Sequence, residues 1–152
     1  MASLVFPTLV REQILEQHGE LRTLVRRAIE HAVPDRADGP EPDPTELRAV
    51  VVELCERVRA HLVFEADALR PVFAVLDSWG PERIRDLNTE HIRQGQDLDA
   101  LLAKVDAQEN IHQLSVAVSM LGADLLKDMD AEEDGCLRAS LLSAVSLTIE
   151  RR

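Results

Sequence analysis

The stretch Pro34-Asp-Arg-Ala-Asp-Gly-Pro-Glu-Pro-Asp43-Pro44-Thr45-Glu46 decides the fold, because it closes one helix and opens another. Its prolines lack backbone donors and push each preceding residue out of helical geometry, so Pro34 to Asp43 reads as a surface loop. Asp43 then offers an acceptor side chain at the N-cap, Pro44 suits the first helical position and Glu46 the third. Asp77-Ser-Trp-Gly-Pro81 stops and restarts the chain in the same manner. A third, more polar break falls at Asp106-Ala-Gln-Glu-Asn110, with Asn110 as a cap. Four segments result, helices at roughly 8–33, 44–76, 81–106 and 110–150. Their apolar residues recur at helical spacing: Ile14, Leu21, Val25; Leu54, Val58, Leu69; Ile84, Leu87, Leu98; Leu114, Val118, Leu121, Leu125. Four amphipathic helices with short connections predict an all-α, antiparallel up-down-up-down four-helix bundle spanning the whole chain, 1–152, as one domain. Pro71, inside the second helix, is expected to kink or end it.

Composition agrees with that architecture and narrows the function. The chain has 152 residues, of which 45% are hydrophobic and 30% charged, with 3% aromatic and no Tyr. No run approaches the ~18 apolar residues of a membrane span. The formal net charge of −11 repels phosphate backbones and acidic lipid, so neither nucleic acid nor membrane is an expected partner. Two cysteines, Cys55 and Cys136, are too few for a disulfide framework or a zinc ribbon and read as small core residues that cannot bridge. Met1 to Thr8 lacks a basic region and Pro7 interrupts its apolar stretch, so no secretory signal is expected and a reducing cytoplasm fits best. No serine stands in a nucleophile elbow and no Gly-rich loop cradles phosphate. The chain leaves a homodimer open.

Each apolar stripe is broken by titratable residues where hydrophobes would be expected. His18 lies among Leu15, Leu21 and Val25; His61 and Glu65 among Leu54, Val58 and Leu69; His91 among Ile84, Leu87 and Leu98; Asp128 and Glu132 beyond Leu121 and Leu125. Counting along antiparallel helices at about 1.5 Å per residue brings all six to one height in mid-bundle. His31 and His112 fall about 20 Å or more from that level and serve as controls. Three buried carboxylates repel one another unless something neutralises them, and the apolar stripes carry no cation of their own; Lys127, nearest in sequence, points about 100° away from Asp128. A divalent cation, or a pair, supplies the missing charge. Mixed imidazole and carboxylate ligands suit iron, manganese or zinc better than calcium or magnesium. The acidic residues outside the stripes, such as Glu133 and Asp134, read as a solvated face.

At these residues the chain resembles the hemerythrin-like, or HHE cation-binding, family over His18 to about Ala139. His61-Leu-Val-Phe-Glu65-Ala-Asp-Ala-Leu-Arg-Pro71 is similar to its HxxxE motif with a following Pro, and Glu90-His91 to its third-helix His. Asp128-Met-Asp-Ala-Glu132-Glu133 resembles its HxxxEE segment with Asp in place of the His. The resemblance implies a four-helix bundle holding non-haem di-iron, with His18 and His61 on one iron, His91 and position 128 on the other, and Glu65 and Glu132 as bridges. It implies binding or sensing of oxygen, nitric oxide or peroxide, or handling of iron. Asp128 is shorter than the imidazole it replaces, so the second metal is expected to be weakly held, water-linked or absent. Leu87 and Gly95 stand where oxygen carriers have a further His, which favours sensing, storage or redox chemistry over reversible carriage. Gly95 gives a small ligand room beside the cluster or allows close helix packing. The alternative is a bundle with a decayed site, serving as a regulatory or protein-interaction module.

Overall fold

The computed structural model describes residues 2–33, 39–144 and 146–150. Its order is β1 (Ala2–Val5), α1 (Pro7–Ala32), α2 (Pro44–Leu76), α3 (Gly80–Asp106), α4 (Ile111–Asp134) and β2 (Leu147–Glu150). The four helices form the expected antiparallel bundle. Part of the predicted Pro34–Asp43 loop, residues 34–38, lies outside the described residues. Both side-chain caps form: Asp43 Oδ1 accepts from the Thr45 and Glu46 amides at 2.9 and 3.2 Å, and Asn110 Oδ1 from the His112 amide at 2.8 Å. Each such cap is worth about 1 kcal/mol to its helix.

One expected helix bound holds and one is corrected. Helix α2 runs through Pro71 to Leu76, where its end was expected. Pro71 removes one amide donor, and the buried Leu69, Val72 and Phe73 around it hold the last turn in place by packing. The fourth helix was expected to reach residue 150, but α4 stops at Asp134. At Gly135 the chain turns so tightly that a Cβ there would lie 2.9 Å from the Ala131 carbonyl oxygen. The Gly135 amide instead donates to Glu132 O at 3.1 Å, and the Leu137 amide to the same oxygen at 2.9 Å. Beyond the turn the chain returns to pair β2 antiparallel with β1, Val5 opposite Leu147 and Ala2 opposite Glu150.

Two apolar clusters fill the interior. The larger joins Leu21 and Val25 to Val51, Leu54 and Val58, to Leu98 and Leu101, and to Leu114, Val118 and Leu125. The smaller joins Ile14, Leu69, Val72, Phe73 and Leu87 to Leu137 and Leu142 from the segment after α4. Along each helix the titratable residues sit between the members of these clusters: His18 between Ile14 and Leu21, His61 and Glu65 between Val58 and Leu69, His91 between Leu87 and Leu98. The site is thus a polar layer between two dry ones. Among the described residues, no helix is long and apolar enough to cross a membrane.

Candidate metal centre

Four of the predicted residues come together: His18 from α1, His61 and Glu65 from α2, and Glu132 from α4 each offer a ligand atom, all within 4.8 Å of one another. Ligands on one ion at about 2.0–2.2 Å lie at most about 4.4 Å apart, so the set is within a small adjustment of holding one. His18 and Glu65 are wholly buried and His61 is nearly so. His18 Nε2 is 3.2 Å from Glu132 Oε2 and 3.7 Å from Glu65 Oε2, while His61 Nε2 is 3.1 Å from Glu65 Oε2. Despite that closeness, His18 Nε2 and Glu65 Oε2 have no aligned hydrogen bond. Buried polar atoms without partners are costly, and these two lie 3.7 Å apart within the four-residue group.

The far nitrogens explain the orientation. His61 Nδ1 lies 2.7 Å from Gln17 Oε1, an oxygen that can only accept, so Nδ1 carries the proton and donates. In the neutral ring Nε2 then turns a lone pair toward Glu65 Oε2, an arrangement that requires a cation between them or a second proton on the ring. His18 Nδ1 is 3.6 Å from Glu133 Oε1, and Arg22 in turn binds Glu133 and, at 2.9 Å, Asp130. His61, whose outer nitrogen is held by an acceptor while its inner nitrogen faces a charged centre, shows the usual pattern for a metal-bound His; His18 Nδ1 faces Glu133 without a hydrogen bond.

The electrostatics without an ion are strained in the same sense. Burial opposes charge on His18, but Glu132 and Glu65 overcome it and raise its pKa to about 9. Burial likewise opposes charge on Glu65, yet His18, His61 and His91 hold its carboxyl well below the usual range. Glu132 is pushed up, by burial first and then by the charge on Glu65. Two carboxylates in one dry pocket cannot ionise equally, and a bound cation relieves both.

His91 and Asp128 stand differently. His91 Nε2 lies 2.9 Å from Glu65 Oε1, on the carboxylate's other oxygen. Arg93 Nη2 donates to Asp128 Oδ2 at 2.7 Å, and Gln94 Nε2 donates to it at 3.2 Å. A cation does therefore stand beside one of the three carboxylates, Asp128, contrary to the expectation drawn from Lys127. It is Arg93, whose long side chain also reaches Glu90 at 2.6 Å and Asp97 at 3.1 Å. Glu133, expected on a solvated face, is half-buried between His18 and Arg22, whereas Asp134 is exposed as expected. A Cβ on Gly95 would meet nothing within 4 Å, which rules out close packing there. The buried polar neighbour on that helix is Gln94, one turn past His91.

The controls behave as such: His31 pairs with Glu46 at 3.9 Å and His112 with Glu41 at 3.2 Å. Cys55 and Cys136 are free thiols. Gln17, Arg93, Gln94 and Glu133 were not singled out from sequence as partners of the site. Gln94 alone left a signal, as a polar residue on the Leu87, His91, Leu98 stripe. A surface cavity of about 390 Å³ between the end of α2, α3 and α4 reaches inward to Asp128 and Glu132, past Phe73 and Leu87.

A comparison with curated proteins and another with solved structures each returned no match. The profile of the hemerythrin HHE cation binding domain matches residues 9–139, from the first turn of α1 to just beyond α4. That span takes in every residue of the buried cluster, and this chain belongs to the hemerythrin HHE cation-binding family.

Proposed function

We propose that the protein is a non-haem metal protein in which His18, His61, Glu65 and Glu132 hold a cation. Iron is the first choice, with manganese or zinc as alternatives, and the role is to bind or sense oxygen, nitric oxide or peroxide, or to handle iron. The observation that carries this reading is the Nε2 of His61, 3.1 Å from Glu65 Oε2 while its Nδ1 is committed to Gln17. When bound, an iron ion supplies Lewis acidity and one-electron exchange. Two carboxylates around it favour the more oxidised state, since anionic ligands stabilise the higher charge.

The chain's own groups do the rest. Gln17 fixes the His61 ring from behind, the Glu133 carboxylate faces the outer side of His18, and the apolar layers above and below exclude bulk water. The cavity that reaches Glu132 is the entry for a diatomic molecule or peroxide, and is large enough for one. Two free thiols accord with a reducing, cytoplasmic setting.

Metal analysis of untagged protein expressed with iron tests the reading. Bound metal is expected in the wild type and is lost in Glu65→Ala while helicity persists. Unchanged stoichiometry in Glu65→Ala refutes the ligand assignment. A wild-type chain that Fe(II), Mn(II) and Zn(II) all fail to load favours the regulatory or protein-interaction module.

A further inference from the structure

The two oxygens of Glu65 face different surroundings, and only one of them lies in a ligand set. Oε2 faces His18 and His61, with Glu132 completing the four-atom group. Oε1 faces His91 at 2.9 Å. A second ion on that side would need partners beyond His91 and Oε1. Among the described residues, however, no other group of three His, Cys, Asp or Glu side chains brings its ligand atoms together.

The side chain at the position for the fourth ligand is already engaged. Asp128 Oδ2 takes N–H groups from Arg93 at 2.7 Å and from the buried Gln94 at 3.2 Å. A guanidinium is a permanent cation whose planar fork suits carboxylates, and it cannot give up its proton to make way for a metal. Glu90 and Asp97, one turn to either side on α3, hold Arg93 in place.

We propose that this centre holds one ion and not two, and that the Arg93 guanidinium, fixed on Asp128, supplies the positive charge a second ion would bring. The proposal rests on the reading of His18, His61, Glu65 and Glu132 as a cation site. His91 is then a positioning residue: its Nε2–H donates to Glu65 Oε1 and so aims Oε2 at the ion. Asp128 is the anchor of Arg93 and not a ligand. Position 128 and position 93 belong together, since an imidazole at 128 would leave the guanidinium without its partner and a small residue at 93 would leave Asp128 free.

The test counts metal per chain on the full-length protein, loaded anaerobically with Fe(II), desalted and analysed by emission spectroscopy. The count should be one in the wild type. It should stay at one in His91→Gln, which retains an N–H donor, and in Asp128→Asn. The double variant Arg93→Leu with Asp128→His, which clears the guanidinium and restores an imidazole, should take two. After oxidation, the wild type should show the electron paramagnetic resonance of an isolated half-integer ferric spin, which an antiferromagnetically coupled ferric pair lacks. A wild-type count of two that falls in His91→Gln or Asp128→Asn overturns the one-ion proposal and leaves the cation site standing. A wild-type count of zero overturns both.

Discussion

Burial pushes the Cys55 thiol up to about 11, and burial together with the charges on Glu132 and Glu65 pushes Cys136 up to about 12. Only the thiolate attacks disulfides and peroxides, so a raised pKa means less of the reactive form at any given pH. At pH 8 an ordinary thiol near 8.5 is about one-quarter thiolate, whereas one near 11 is about a thousandth. Cys136 borders the cavity that reaches Glu132, and burial there disfavours its reactive thiolate form. The prediction is that native protein at pH 8 labels with a disulfide reagent at least about a hundredfold more slowly at either cysteine than a model thiol does. Both should react at once in denaturant. Fast labelling of native Cys136 would contradict its placement. At this scale the sequence showed which residues carry charge into the core but not how their far sides are held. Three imidazoles and three carboxylates stand out on apolar stripes, because a titratable group there breaks the pattern. Gln17 and Arg93 do not, since each sits off the stripe and reaches the site through a flexible side chain that counting along a helix does not follow.

Two glycines on α3 separate packing from helix propensity at the scale of the element. A Cβ on Gly80 would lie 2.1 Å from the Phe73 carbonyl oxygen, backbone that cannot move aside without disturbing the end of α2. Gly80→Ala should destabilise by about 1–3 kcal/mol or more, the range for overpacking. Gly95 is also helical but open, and Gly95→Ala should stabilise by about 0.5–1 kcal/mol because alanine loses less backbone entropy. Urea unfolding of the two variants checks the opposite signs, and a stable Gly80→Ala would mean that the α2 to α3 corner is looser than described. The same contrast explains what could be read of the elements from sequence. Helix starts at Pro44 and Ile111 were legible because Asp43 and Asn110 cap them within a few residues. The end of α4 was not, because Leu137 and Leu141 continue a spacing of four past Gly135 and imitate another helical turn. The strands were invisible for a different reason: each has four residues, and the partner of Leu147–Glu150 lies at the far end of the chain, at Ala2–Val5.

Considered as a whole, the bundle is two apolar clusters separated by a charged layer, and the layer and the clusters contribute to stability in different ways. The clusters hold the helices by burying Leu, Val and Phe side chains, a contribution that no metal alters. The layer buries His18, His61 and Glu65 together, which costs free energy unless a charge of opposite sign satisfies Glu65 and Glu132. An ion that binds only the folded chain stabilises it by about 2.7 kcal/mol when free metal is a hundred times the Kd. For a chain of this size each kcal/mol moves Tm by roughly 2–4 °C. Chelated protein should therefore remain helical by circular dichroism, yet melt about 5–10 °C below the metal-loaded form. Glu65→Ala should abolish the difference between the two forms. Loss of helicity on chelation would mean that the ion, and not the apolar packing, holds the bundle together. Equal melting temperatures with and without Fe(II), Mn(II) and Zn(II) would mean that the buried acidity is neutralised by protons and imidazolium alone, and the metal-binding reading would then fail at its physical root.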